Sequence, residues 1–245
     1  DAITTPSLRE VSLSLHAGQI TGLAGVSGNG QAGLAALVGG LEMPGAGRLT
    51  VHGRDVDTWN PRAALAAGIG RIPEDRHDTG IIGDFSLTEN AILESYARAP
   101  ISRKGWSNWR RADALTPEII DAYDVRCPGP EAAIRTLSGG QYAKADPRTG
   151  AQADPSIILA NQPVRGLDIG AVTCVHGQLL AARDAGAAIL LISKDLDEIL
   201  TLSDVIHVIS EGRLSPAFGR GTKSAVEMGN WMAGGGFEKG AHHAA

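Results

Sequence analysis

The sequence predicts an α/β protein: a mainly parallel sheet flanked by helices, with a helical subdomain inserted into it. Two observations carry this. Short apolar runs, "GQITGLAG", "PSIILANQP", "AAILLIS" and "DVIHVIS", alternate with helical patterns. That order produces parallel strands joined by crossover helices. Between residues 85 and 136, strand signals give way to helix signals and to Tyr96, Trp106, Trp109 and Tyr123. The expected organisation is a core over 1–84 and 137–215, an inserted helical subdomain over 85–136, and a C-terminal extension or tail over 216–245. A short antiparallel β region is expected near the N-terminus.

The elements follow in order. "GQITGLAG" reads as a short apolar strand ending in glycines. After Gln31 the period changes: Leu34, Leu37, Val38 and Leu41 fall on one helical face, closed by Gly39 and Gly40. "GRLTVHGRDV" alternates like a surface strand and turn. In "NPRAALAAG", Asn60 is an N-cap, Pro61 the first helical residue and Gly68 the stop signal. "IGRIPEDR" is a second buried strand entering a charged loop. Ser86 and Glu89 in "SLTENAIL" have capping-box spacing. After Thr136, "PSIILANQP", "AVTCVHGQLLAARDAG", "AAILLIS", "DLDEILTLS" and "DVIHVISEGRL" resume the strand–helix alternation. The final "GGGFEKGAHHAA" reads as a frayed tail with two solvated histidines.

Bulk properties exclude several roles. At 245 residues with 43% hydrophobic content, the chain can build a real core, and its net charge of −5 argues against a nucleic-acid partner. Cys127 and Cys174 read as reduced thiols. No apolar run approaches the roughly 18 residues of a membrane span, so a membrane role has to run through a partner. The sequence reaches its glycine-rich loop soon after Asp1, which suggests a piece of a longer polypeptide.

Four motifs carry chemistry. In "GLAGVSGNGQAG", Gly25 and Gly30 have the spacing of the phosphate loop G-x-x-x-x-G-K-[ST]. Backbone N–H groups of such a turn, at the positive end of a helix, cradle phosphate oxygens. Yet Gln31 stands where the lysine belongs, and Ala32, where a hydroxyl would ligate Mg²⁺. In "TLSGGQ", Ser138 and Gln141 have capping-box spacing, and Gly139 and Gly140 let backbone amides approach an anion. "SIILANQPVRGLD" ends an apolar strand in Asn161 and Gln162, with Asp168 in the loop beyond. P-loop NTPases place a Mg²⁺-ligating aspartate at the end of such a strand; many have a water-polarising glutamate beside it. Two neutral amides stand here instead. In "LLISKDLDE", Ser193 and Lys194 precede a helix capped by Asp195. Each motif alone also fits an ordinary turn, cap or surface residue.

Together and in this order they resemble the nucleotide-binding domain of an ABC transporter, a P-loop NTPase-like fold, from about Leu8 to Leu214. "LSGGQ" is similar to the ABC signature, the Gly25–Ala32 loop to Walker A, "IILANQ" to Walker B with the catalytic glutamate position, and "GLD" ending at Asp168 to the D-loop. Glu74 falls at the Q-loop glutamine and Lys194 at the switch histidine. "PEDRHDTGIIGDFSLTEN" and "NQPVRGLDIGA" look most like the second ATPase domain of simple-sugar and nucleoside importers, where a relaxed Walker A accompanies an intact signature.

The resemblance implies ATP and Mg²⁺ as cofactors, with Mg²⁺ held weakly or only in a partner's site. Gly25, Ser27, Gly28, Asn29, Gly30, Gln31, Ala32 and Asn161 are the expected nucleotide contacts. Gln162, Lys194 and Glu74 occupy the catalytic positions, and Asp168 the D-loop. Ser138, Gly139, Gly140 and Gln141 would complete the site of a second ABC ATPase domain, expected upstream in the same polypeptide. Permease subunits at the cytoplasmic membrane face are the other implied partners. The alternatives are a non-catalytic scaffold and an ABC protein without a permease. Two features depart from the family. No aromatic residue precedes the phosphate loop to stack on adenine. Pro147 and Gly150 should break the helix after the signature, since an interior proline costs roughly 3 kcal/mol or more.

Overall fold

In the main sheet, the strand Gln19–Gly25 lies between two parallel partners, so its C-terminal glycine emerges in the middle of the strand ends. The computed structural model describes residues 2–75, 80–93, 101–103, 106–122, 125–137 and 155–237, with the backbone alone at Arg103, Ser107 and Ala122. In chain order the elements are β1 (Ile3–Thr5), β2 (Leu8–Val11), β3 (Gln19–Gly25), α1 (Gln31–Val38), β4 (Thr50–Val51), β5 (Arg54–Asp55), α2 (Pro61–Ala66) and β6 (Ile69–Ile72). Next come α3 (Leu87–Ala91), β7 (Ser102–Arg103), β8 (Trp106–Ser107) and α4 (Trp109–Ala122). The chain continues with β9 (Ile157–Asn161), α5 (Ile169–Asp184), β10 (Ala188–Ser193), α6 (Leu196–Leu202), β11 (Val205–Ser210), β12 (Arg213–Leu214), β13 (Phe218–Gly219) and α7 (Ala225–Met232).

Among the described residues the main sheet has seven strands, in the order β12-β11-β3-β10-β9-β6 with β13 also paired to β11. β3, β9, β10 and β11 pair in parallel, while β12 and β13 run antiparallel to β11. The expected short antiparallel region is β1 with β2, followed by the β4–β5 hairpin. "AILLIS" is buried at every position, as befits a strand covered on both faces. Leu8, Leu23, Leu34, Leu37, Leu159 and Ile192 join one core beneath the glycine-rich loop.

The chain forms two compact units: Asp1–Arg71 with Asp154–Pro163 and Leu180–Ala245, and Ile72–Ala153 with Val164–Leu179. In the second, α3 and α4 pack through Leu87, Ala91 and Ile119, with Val125 and Ile134. α3 starts at the expected capping box: Ser86 Oγ accepts from the Glu89 N–H, and Glu89 accepts from the Ser86 N–H at 2.7 Å. In the first unit Asn60 caps α2 as expected, accepting from the Ala63 N–H at 3.0 Å.

Three expectations need correction. Leu41 is not on the face of α1: Gly40, at φ +76, turns the chain away, and Leu41 is 67% exposed. The region 85–136 is not free of strands, because β7 and β8 form a hairpin. The last residues are not all frayed: Phe237 packs edge-on against Trp231, which also meets Phe218. Residues beyond 237 lie outside the described residues, as do Pro147 and Gly150.

Candidate functional site

The site in the first unit is built at the C-terminal ends of three adjacent parallel strands. Ala24 of β3 is in register with Ser193 of β10, and Asn161 of β9 with Ile192 of β10. The glycine-rich loop, the Asn161–Gln162 pair and Lys194 therefore leave one sheet edge together. Such an edge is where open α/β sheets bind ligands.

The loop Gly25–Gly30 turns through two left-handed glycines. Gly28 lies at φ +88 and Gly30 at φ +110, a region L side chains avoid. At Gly28 an added Cβ would meet nothing within 4 Å, so the glycine serves backbone direction alone. At Gly30 it would come within 2.9 Å of Ile209 and 3.1 Å of the Ser7 carbonyl, so the glycine also permits close packing. Val26, Ser27 and Gly28 form an exposed crown, while Gly25 and Gly30 are buried. The Asn29 N–H donates to the Val26 carbonyl at 3.2 Å, and α1 begins immediately beyond.

Gln31 does not extend into the loop's mouth. It is buried, at 6% exposure, and its Nε2 donates to the Gly25 carbonyl at 3.0 Å. The amide thus joins the two ends of the loop. Ala32 is exposed and offers no oxygen.

Gln162 is also an internal tie. It is held at φ +52, a conformation that costs a non-glycine residue about 1–2 kcal/mol. Its N–H donates to the Ile192 carbonyl at 2.8 Å, and its Oε1 accepts the Lys194 N–H across a long 3.4 Å. The residue stitches the end of β9 to the end of β10. Its amide has no basic lone pair to take a proton from water. Ser193, 2% exposed, accepts from the Asp195 N–H, and Asp195 caps α6 by accepting from Asp197 and Glu198.

The other candidates belong to the second unit. Glu74 is ion-paired with Arg165 at 2.8 Å. Asp168 Oδ1 accepts the Ala171 N–H at 2.9 Å and so caps α5. Ser138, Gly139, Gly140 and Gln141 lie outside the described residues.

Sequence reasoning missed the supports of the loop. The Gly212 N–H donates to the Asn29 carbonyl at 2.9 Å, and the Gly212 carbonyl accepts the Arg9 N–H at 2.7 Å. The turn between β11 and β12 thus clamps the loop to the start of β2. Arg165, the partner of Glu74, was missed as well. The glycine of "SEGRL" signals a turn, but nothing local reveals what that turn touches.

The glycine-rich loop thus combines left-handed glycines with an uncharged, internally bonded Gln31. The Mg²⁺ positions do not fit the ion. Mg²⁺ prefers carboxylate and hydroxyl oxygens, whereas Ala32 has none and Asn161 offers a neutral amide. Among the described residues, no group of three or more His, Cys, Asp or Glu is arranged to hold a metal.

Comparison with known proteins identifies the architecture. The ABC transporter family model matches residues 8–163, more than half of the chain. The chain belongs to the ABC transporter family. Among ABC proteins it is 41% identical to the guanosine import ATP-binding protein NupO of Bacillus subtilis, over 93% of this chain and 45% of that protein. It is 36% identical to the nucleoside import ATP-binding protein NupA of Lactococcus lactis, with the same coverages. Ribose import ATP-binding protein RbsA 1 of Rubrobacter xylanophilus is 36% identical, over 85% of this chain and 42% of that protein. This ABC domain therefore spans less than half the length of these relatives. A nucleotide-free ATP-binding cassette from an ABC transporter superposes with a TM-score of 0.73 at 19% identity, covering 95% of this chain and 92% of that one. A dimeric bacterial ABC transporter cassette gives 0.72 at 20% identity, covering 87% and 90%. At these identities the superpositions establish the fold: a P-loop NTPase cassette with a mostly parallel sheet and a short antiparallel one.

Proposed function

We propose that this chain is the ATP-binding domain of an importer for nucleosides or simple sugars, and that its own nucleotide site is degenerate. The observation that carries the reading is the pair of internal ties. At the lysine position, Gln31 donates to the loop's own Gly25 carbonyl; at the general-base position, Gln162 accepts from the Lys194 backbone. Neither amide brings charge to a phosphate or accepts a proton from water. A site built this way binds nucleotide weakly through backbone amides and turns it over slowly or not at all. Its Mg²⁺ need is met weakly, or only in the partner's site.

The activity then resides in a composite dimer. Ser138, Gly139, Gly140 and Gln141 complete the competent site of a second ABC ATPase domain, located upstream in the same polypeptide. The relatives, whose names describe guanosine, nucleoside and ribose import, are about twice the length of this chain, which supports that arrangement. The partners in transport are membrane permease subunits, so the domain works peripherally at the cytoplasmic membrane face. None of the described helices is long and apolar enough to cross a membrane.

The test is phosphate release by the purified chain with Mg-ATP, alone and joined to the upstream domain. The expected result is no substantial turnover alone and ordinary turnover in the joined form. Turnover by the isolated chain at the rate of the joined form, abolished by substituting Gln162, overturns the reading.

A further inference from the structure

The second unit carries an exposed aromatic patch that neither its fold nor the nucleotide site uses. Trp106, in β8, is 84% exposed, and Trp109, at the start of α4, is 51% exposed. Surfaces that face only water carry few tryptophans, and here two indoles stand three residues apart. Their base is firmly built. Ile101 is buried with Ile92 and Ala112, and the Asn108 N–H donates to the Ile101 carbonyl at 2.7 Å. Asn108 also accepts the Arg111 N–H through its side chain at 3.2 Å. The fold therefore holds the hairpin from below and leaves the indoles outside.

The charges next to the indoles are mostly basic, and the first acidic residue is the exposed Asp113, one turn beyond Trp109 on α4. Arg110 and Arg111 are exposed, Arg103 lies in β7, and no acidic residue occurs between 102 and 112, in a chain whose net charge is −5. The first turn of α4 contains no acidic residue. Arginines there oppose the positive end of the helix dipole, so their placement does not serve the helix.

We propose that Trp106 and Trp109, flanked by Arg110 and Arg111, form an interfacial contact with anionic phospholipid headgroups. This rests on the reading of the chain as a peripheral domain of a membrane permease. Tryptophan's apolar body and polar N–H suit the headgroup level of a bilayer. Arginine supplies the attraction to anionic lipid. Charge also decides between lipid and permease as occupant. Cytoplasmic loops of membrane proteins carry an excess of Lys and Arg, which would repel this patch, whereas anionic headgroups attract it. The contact would add to permease docking and hold the helical unit against the membrane surface.

The experiment is flotation of the intact chain with vesicles of phosphatidylcholine mixed with phosphatidylglycerol, and of phosphatidylcholine alone, followed by tryptophan emission. The chain should bind the anionic vesicles preferentially, lose binding as salt rises, and shift its emission to the blue. Arg110→Gln with Arg111→Gln should weaken partitioning by about 25-fold, about fivefold for each basic residue near an anionic surface. Trp106→Ser with Trp109→Ser should abolish the blue shift, and because Trp106 is so exposed, Trp106→Ser alone should fold normally and lose part of it. Undiminished binding by the double tryptophan variant overturns the proposal, as does equal binding to both vesicle types. So does an absence of vesicle binding combined with Trp106-dependent capture of detergent-solubilised permease, which would make the patch a protein contact. Vesicle binding needs no nucleotide, so its failure is distinguishable from failure of the ATPase reading, which phosphate release tests separately.

Discussion

Replacing Gln31 by lysine and Ala32 by serine puts a charge and a hydroxyl into the loop that we propose to be a degenerate phosphate site. The starting state is well defined: Gln31 Nε2 lies 3.0 Å from the Gly25 carbonyl, in a buried setting. A lysine begins at the same first position of α1, and its ammonium can retain that bond or reach a bound phosphate. A hydrogen bond to a charged group contributes about 1.5–3 kcal/mol, so nucleotide affinity should rise roughly 10- to 150-fold. Gln31→Ala separates the tie from the charge. It deprives a buried carbonyl of its donor, which costs about 1–3 kcal/mol. For a chain of this size that lowers the melting temperature by roughly 2–12 °C. Calorimetric titration with a non-hydrolysable nucleotide analogue reads the first effect, and a thermal scan reads the second. A Lys/Ser variant that folds normally and gains no affinity refutes the view of the loop as a phosphate cradle lacking only its charge. An unmoved melting temperature in Gln31→Ala refutes the tie.

Three further outcomes are expected. Ser138→Ala should slow ATP hydrolysis by the assembled transporter by about 10²-fold, the usual effect of losing one preorganised donor. It should leave nucleotide affinity of the isolated chain unchanged, and a normal rate in the complex would show that this chain does not complete its partner's site. Gly212→Ala should destabilise the chain and weaken nucleotide binding, because the new Cβ falls 2.6 Å from the Ser7 carbonyl and displaces the turn that holds Asn29. Gly53→Ala is the control, with a similar φ of +72 and nothing within 4 Å of its Cβ; equal behaviour of the two variants removes the clamp. Burial holds the His207 pKa below its usual 6.5, against the opposing effect of its hydrogen bond with the Ser215 carbonyl. Below that value the unfolded chain takes up a proton that the folded chain resists, so stability should fall as pH drops through about 6.5 and be retained above it. His207→Asn should flatten that acid slope in denaturant titrations, and an unchanged slope would assign the acid sensitivity elsewhere.

What could be read from the sequence was local chemistry. Asn60 followed by Pro61, and Ser86 three residues before Glu89, are self-contained caps, and both appear with the expected bonds. The buried run "AILLIS" announces a strand covered on both faces, whatever its neighbours. The same logic could have found α7, since Ser224 and Glu227 form a second capping box. The hairpin of β7 and β8 was harder, because its strands are two residues long and carry no alternation. The site residues divide in the same way. Motif spacing located Gly25–Ala32, Asn161, Gln162 and Lys194 at strand ends. The partners that give those residues their present roles lie far away in sequence: Gly212 for Asn29, Lys194 for Gln162, Arg165 for Glu74. No periodicity or cap reports a pairing across tens or hundreds of residues.

The nature of the substitutions matters more than their number. Alanine at 31 would have left the buried Gly25 carbonyl without its donor, and an apolar residue at 162 would have removed the side-chain acceptor for the Lys194 N–H. Glutamine avoids both losses. At 31 it reaches across the loop and satisfies the carbonyl; at 162 it bridges the ends of β9 and β10. On the proposed reading, loss of charge at these positions has not meant loss of shape, because the amides keep the strand-end hydrogen bonds made. On the proposed reading, a domain that docks against a competent partner needs that shape. The conformations of Gly28 and Gly30, the clamp from Gly212 and the cap at Asp195 all preserve it without reference to catalysis. Under the proposed reading, selection for a rigid surface at the strand ends explains this pattern better than selection for turnover in this chain's own site.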